Sequence, residues 1–370
     1  MSAYRIARTC IEITLLFLFV FSYSFSRIVC WNFEAANLPE DTFIWKFAIW
    51  RNRAFLNIPR CCNDRLNDFG RVEGKNESLV NGMTLFEAIW PESNLSRVKR
   101  SKLFSSNSRG KPIDDGCPRS IVKLDVDIRG RLWLLQVPDS YDCSARIVVY
   151  NLKRSSNLVL STDLSNVPAK NLRALVIDAS GSKAYLGDPG DESIIAFLPE
   201  KERWWRIMMV HGPEVPRVVS TDIAISRNNS VLYMSGSDTL HLFSINLDEL
   251  WNEQNVSAFN DKSRNVRVDW HGTKMGTSSG LICDFNDGLH YFMSSERASV
   301  RWDTKLPLRA ESHTILVQNE NCPCITDYGI DSRKNLWGLV NSKCRFESQE
   351  SSQKLRFNSR TIKIMKYPTL

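Results

Sequence analysis

Five histidines, His211, His241, His271, His290 and His313, are the side chains best suited to moving a proton near neutral pH. None stands at metal-ligand spacing from another, so no metal centre is expected. The chain carries no Gly-x-Ser-x-Gly elbow, no His-Glu-x-x-His and no phosphate-cradling glycine loop, and no cofactor is expected. One well-placed histidine or carboxylate would suffice for a tautomerisation, which only removes and returns a proton. His271, between Trp270 and Gly272, is the first candidate base, although a histidine in that setting more often serves a loop.

The other chemistry-bearing residues are the ten cysteines: Cys10, Cys30, Cys61, Cys62, Cys117, Cys143, Cys283, Cys322, Cys324 and Cys344. Neither Cys61-Cys62 nor Cys322-Pro323-Cys324 has zinc spacing. Their use depends on compartment. Arg5 and Arg8 precede an apolar run from Ile13 to Phe21, and Ser22, Ser24 and Ser26 offer small residues for cleavage. Residues 1–26 therefore read as a signal peptide. The run is shorter than the roughly 20 apolar residues that span a bilayer. A secreted chain with no membrane anchor and with structural disulfides is expected. Cys10 leaves with the leader, and an odd number of cysteines stays behind. Asn76, Asn94, Asn228 and Asn255 head glycosylation sequons, which fits the secretory route. Arg97-Val98-Lys99-Arg100 is similar to a furin-type processing site, and a solvated basic loop is its plainer reading. The formal charge of +7 is spread along the chain, with no nucleic-acid motif.

The elements that would position these residues are strands. Short strand–turn–strand units, aligned on Trp133, Tyr185, Tyr233, Tyr291 and Trp337, recur about every 50 residues. Such units bury one face each and must stack on their neighbours. An earlier, weaker copy runs through Phe43, Trp45 and Phe47 to Arg53–Arg60, with Leu85–Trp90 as an outer strand. Residues 93–115 read as an exposed irregular loop. Residues 247–253 read as a turn or two of helix. His313–Val317 opens the last unit, and Thr361–Met365 either completes it or joins the first. The fold expected is all-β, a six-bladed β-propeller occupying residues 27–370 as a single domain.

Several stretches then resemble the yellow and major royal jelly proteins of insects. They are Trp50 to Arg60, Asp127 with Arg131-Leu132-Trp133-Leu134-Leu135, Ala184-Tyr185-Leu186-Gly187-Asp188, Trp302 to Leu308, and Thr326-Asp327 with Asn335-Leu336-Trp337 and Val340-Asn341. The similarity runs from about residue 43 to 345, and it implies a secreted six-bladed propeller. Arg129 stands where the family often has the cysteine that pairs with the one at Cys143, so Cys117 becomes its nearest candidate partner. Cys322, Cys324 and Cys344 are further disulfide candidates.

The resemblance implies two roles: binding of biogenic amines or other small aromatics in the central channel, or dopachrome conversion in melanin synthesis. An aromatic amine needs a ring face, a carboxylate or carbonyl for the ammonium, and a few neutral hydrogen-bonding groups. By motif match, Asn341 is the first candidate contact, followed by Asp327 and Asp188. The plainer role for an aspartate in a blade turn is to bond its own backbone amides. The reading preferred is a non-enzymatic secreted binding propeller in pigmentation or extracellular signalling. The alternatives are a tautomerase-like enzyme and a structural, storage or protein-interaction protein.

Overall fold

The computed structural model describes residues 31–58, 85–93, 95–104, 116–138, 143–153, 156–165, 167, 171–237, 239–251, 264–344 and 358–367. Residues 1–26, where a signal peptide is expected, Cys30, Cys61, Cys62, and the sequons at Asn76, Asn94 and Asn255 lie outside the described residues.

Six antiparallel sheets follow one another along the chain. Blade 1 is Lys46–Trp50, Arg53–Asn57, Leu85–Ile89 and Lys99–Arg100. Blade 2 is Arg119–Val126, Arg131–Pro138, Ala145–Asn151 and Asn157–Leu164. Blade 3 is Ala174–Ile177, Ala184–Asp188, Ser193–Leu198 and Arg203–Val210, with Arg264–Arg267 added in parallel on its outer edge. Blade 4 is Asp222–Ile225, Val231–Ser235, His241–Asn246 and Asp269–Thr273. Blade 5 is Ser278–Cys283, Gly288–Met293, Ala298–Asp303 and His313–Gln318. Blade 6 is Cys324–Ile330, Asn335–Asn341 and Arg360–Lys366. The first strand of each blade touches the first strand of the next, and blade 6 touches blade 1, so the ring closes. This is a six-bladed β-propeller.

The recurrent aromatics all fall on second strands, and the packing explains why. Side chains alternate across a strand, and each blade is covered on both faces by its neighbours. Ala184 and Leu186 pack against blade 2, whereas Tyr185 packs against blade 4. A middle strand is therefore apolar at successive positions. Each of the six hydrophobic clusters sits between two adjacent blades, so the core is a ring of interfaces.

The polar turns before these strands are fixed by aspartates. Asp127 Oδ1 accepts the Arg131 amide at 2.9 Å, and its Oδ2 accepts Trp133 Nε1 at 2.9 Å. Asp331 repeats this with the Asn335 amide and Trp337 Nε1, both at 2.9 Å. Asp284 does so with the Gly288 amide at 2.9 Å and His290 Nε2 at 2.8 Å. Each carboxylate thus locks a turn and orients a ring six residues on. Gly130 adopts a φ of +74° in the first of these turns, and a Cβ there would lie 2.5 Å from the Trp50 ring.

Two expectations change, and one choice left open is decided. His313–Gln318 pairs with Ala298–Asp303, so it edges blade 5 and does not open blade 6. Arg360–Lys366 pairs with Asn335–Asn341 and completes blade 6, leaving blade 1 to strands from its own end of the chain. The stretch from residue 93 is no free loop as far as residue 104: Val98 is fully buried, and Lys99 and Arg100 pair with Glu87 and Phe86. Residues 105–115 lie outside the described residues. The helix expected near residue 247 is present as Leu247–Trp251.

A protease of the furin type takes its substrate as a free extended segment. The folded chain should therefore resist cutting after Arg100, while a peptide of residues 95–104 is cut readily. Electrophoresis after incubation with the protease checks this. Equal rates for chain and peptide would show that the outer strand of blade 1 opens freely.

Among the described residues no helix is long and apolar enough to cross a membrane. Disulfides join Cys117 to Cys143 and Cys324 to Cys344, while Cys283 and Cys322 are free, buried thiols. Asn228 Nδ2 donates to Phe285 O and to Asp287 Oδ2, each at 2.9 Å, tying blade 4 to blade 5. A glycan on Asn228 would replace one of those two hydrogens.

Candidate functional site

The first strands surround the axis, and a cavity of about 220 Å³ opens there. All six blades contribute to its wall. Blade 1 gives Lys46, with Trp45 just before its first strand; blade 2 gives Lys123; blade 3 gives Ala174 and Leu175, preceded by Arg173. Blade 4 gives Asp222 and Ile223, blade 5 Ser279 and Gly280, and blade 6 Thr326 and Asp327. Gly280 lets blade 5 approach blade 6 closely at this wall: it sits in a break of register between Ser279 and Ile282 with a φ of +65°, and a Cβ would come 3.0 Å from the Tyr328 ring. Cys344 of the second disulfide also lines the wall.

The charges divide into a spent set and a free set. Asp327 is spent. Lys123 Nζ donates to its Oδ1 at 2.7 Å, Lys46 Nζ lies 3.6 Å away, and the Phe47 amide donates to Oδ2 at 3.2 Å. Lys46 Nζ also donates to Thr326 O at 3.0 Å. Burial works against the charge on Lys123, but Asp327, with smaller help from Asp125 and Asp222, outweighs it and holds the lysine pKa above its ordinary value. Asp125, two residues further along the same strand, has its pKa raised by burial, against the pull of Lys123. This group ties blades 1, 2 and 6 together around the axis.

Asp222 and Arg173 form the free set. Half-buried Asp222 accepts no hydrogen bond and forms no ion pair among the described residues, although it feels the charges of Lys123 and Lys274. The Arg173 guanidinium donates to its neighbour Leu172 O at 2.9 Å and meets no carboxylate among the described residues. Trp45 stacks on Phe43, with ring centroids 6.1 Å apart, carries Lys46 Nζ 5.1 Å from its ring centroid, and is half-exposed at the cavity. In a ring of six, blade 1 faces blade 4, so Trp45 and Asp222 stand on opposite walls.

Of the candidate ligand contacts Asn341, Asp327 and Asp188 and the candidate base His271, the structure brings only Asp327 to the cavity. Asn341 is fully buried behind the wall, where Nδ2 donates to Ile44 O at 2.8 Å and to Thr326 Oγ1 at 2.6 Å, and Oδ1 lies 2.6 Å from Ser359 Oγ. Both hydrogens of that amide and its oxygen are engaged inside the fold. Asp188 is fully buried in blade 3, where Arg206 Nη2 donates to it at 2.9 Å. His271 lies between Tyr233 and Trp302, with its Nε2 2.8 Å from Ser244 Oγ. Burial lowers its pKa, and Asp269 offsets this only in part. It packs blade 4 against blade 5. Among the described residues no cluster of histidine, cysteine and carboxylate groups could hold a metal ion.

Sequence reasoning missed Asp222, Arg173, Lys46 and Lys123. The signal was present for two of them. A charged residue inside an otherwise apolar first strand, as in Ile121 to Val126 or Asp222-Ile223-Ala224-Ile225, has only the axis to face once both blade faces are covered.

Comparison with known proteins agrees with this architecture. The family model for the major royal jelly proteins matches residues 119–368, which take in blades 2 to 6. The yellow-related salivary protein LJM17 of Lutzomyia longipalpis is 28% identical over 138 residues, covering 37% of this chain and 32% of that protein. The match thus spans about a third of that relative's length. Among solved structures, a luciferin-regenerating enzyme superposes with a TM-score of 0.51 at 10% identity, over 88% of this chain and 92% of that one. That likeness speaks for the fold alone. The extent of the family match and the six-bladed ring place this chain in the major royal jelly protein family, as a yellow-like propeller.

Proposed function

We propose that this protein is a secreted, non-enzymatic binding propeller whose channel cavity takes a small aromatic amine or catechol, in pigmentation or extracellular signalling. The observation that carries the reading is Asp222: a carboxylate without a hydrogen-bond partner among the described residues, on the wall of a cavity that also holds the Trp45 ring. The carboxylate suits an ammonium, and the indole suits an aromatic ring. A cavity of about 220 Å³ is smaller than the roughly 300–1,000 Å³ of pockets for drug-sized ligands, which favours a single ring with a short tail. Two disulfides and a salivary relative support secretion.

The test is calorimetric titration of the secreted chain with tyramine, dopamine and serotonin, with dopachrome absorbance followed in parallel. Saturable binding is expected, weakened about tenfold to a hundredfold in Asp222→Asn, the range of one charge-assisted hydrogen bond. Binding that ignores Asp222→Asn would move the site elsewhere. Loss of dopachrome absorbance faster than in buffer would favour the enzymatic alternative.

A further inference from the structure

We infer that the cavity is built for a zwitterion, an aromatic α-amino acid that keeps its carboxylate, in preference to the corresponding amine. The inference rests on the binding reading above and narrows its ligand.

Arg173 immediately precedes the first strand of blade 3, and Asp222 opens the first strand of blade 4. Those two strands are neighbours in the ring and touch along the axis. The cavity wall therefore carries one cation and one anion on adjacent blades. They do not pair with each other, and among the described residues neither finds another ion-pair partner. The contrast with the remaining cavity charges is informative. Lys46 and Lys123 converge on Asp327, so that triad is neutralised internally except for a single excess positive charge.

Asp222 is half-buried and Arg173 is exposed at the cavity, so a ligand that carries both opposite charges can reach and pair the two at once. An α-amino acid carries its ammonium and carboxylate on one carbon, which suits two wall groups on adjacent strands. The guanidinium can hold the carboxylate with two parallel hydrogen bonds, while Asp222 accepts from the ammonium. With its head at blades 3 and 4, the ligand's side chain points across the axis toward blade 1, where the half-exposed Trp45 indole, stacked on Phe43 and with Lys46 Nζ 5.1 Å from its centroid, meets the cavity. A bare amine satisfies Asp222 and leaves Arg173 as it is. A bare acid does the reverse and leaves Asp222 unpaired.

Three ligands separate these cases: L-tyrosine, tyramine, which lacks the carboxylate, and 3-(4-hydroxyphenyl)propanoate, which lacks the ammonium. Titrated calorimetrically into the full secreted chain, tyrosine should bind about tenfold or more tighter than either of the others. Arg173→Gln should bring tyrosine down to the level of tyramine and leave tyramine unchanged, which also shows that the variant is folded. Asp222→Asn should weaken tyrosine and tyramine but not the propanoate. Tyramine binding as tightly as tyrosine to the wild-type chain overturns the inference without any variant. So does an Arg173→Gln change that weakens both equally. Asp222-dependent tyramine binding with no preference for tyrosine would overturn this inference alone, and no binding of any of the three would overturn the binding reading with it.

Discussion

Asn341→Ala should destabilise the ring by about 3–5 kcal/mol, the cost of stranding two or three buried polar groups at about 1–3 kcal/mol each. The residue is fully buried. Its removal leaves Ile44 O and Thr326 Oγ1 without their donor, and takes the acceptor 2.6 Å from Ser359 Oγ. Ser359 has a second contact, 2.9 Å from Thr42 O, and accepts the Ile44 amide at 3.2 Å, so it can turn but not replace the lost amide.

The cost is high because of where the bond sits. Blades 1 to 6 follow each other along the chain, so five of the six interfaces join covalently connected neighbours. The sixth joins residues about 300 positions apart, and forming it requires closing the longest loop in the molecule. Urea unfolding of wild type and Asn341→Ala, compared at equal slope, measures the difference. A change under about 1 kcal/mol would mean that the seam is held by its apolar cluster alone. Asp222→Asn gives the complementary outcome: weaker ligand binding with a near-unchanged midpoint. Heat lost in Asn341→Ala together with an unfolding midpoint near the assay temperature therefore reports on the ring rather than on a ligand contact.

The parts of this architecture that were legible in the sequence are those specified locally. A second strand covered on both faces must be apolar, and the aspartate that locks its turn lies six residues before the ring it orients, as in Asp127 and Trp133 or Asp331 and Trp337. Both features fit inside one unit, so they repeat visibly. The outer strand Asp269–Thr273 carries no such pattern, because its residues are half-buried or exposed. The seam was illegible for a different reason. Asn341 pairs in register with Cys324 inside blade 6, and its amide partners Ile44 and Ser359 have no fixed sequence relation to it. A polar residue at the end of a blade strand can face the channel or the seam, and only the closed ring decides which. The cavity charges share this problem: Asp327 and Asp222 are both aspartates on first strands, yet one is neutralised by lysines from blades 1 and 2 and the other is left free.

The same seam should respond to pH through Glu92. Glu92 accepts the Thr361 amide at 2.6 Å and the Thr361 hydroxyl, joining the end of blade 1 to the last strand of blade 6, while its Oε1 is buried without a partner. Burial pushes the carboxyl up to about 7 from an ordinary 4.5, and the Thr361 bonds and Arg360 oppose this only in part. A carboxyl raised in the folded state holds its proton better there than in the unfolded chain. Its stabilisation is therefore full below about pH 4.5 and is lost as the pH rises through about 7. At about 1.4 kcal/mol per pH unit, with allowance for the partial exposure of the site, this amounts to roughly 2–3 kcal/mol. Glu92→Gln stays neutral throughout. The two proteins should be about equally stable near pH 4.5, and the variant should be the more stable by roughly 2 kcal/mol at pH 8. Subtracting one stability profile from the other cancels every group they share, so the difference isolates Glu92. A difference that rises between pH 5 and 7.5 places a titrating carboxyl in the seam. A flat difference means that Thr361 and Arg360 keep Glu92 charged across the whole range, and that the seam is then bound by a carboxylate rather than by an acid.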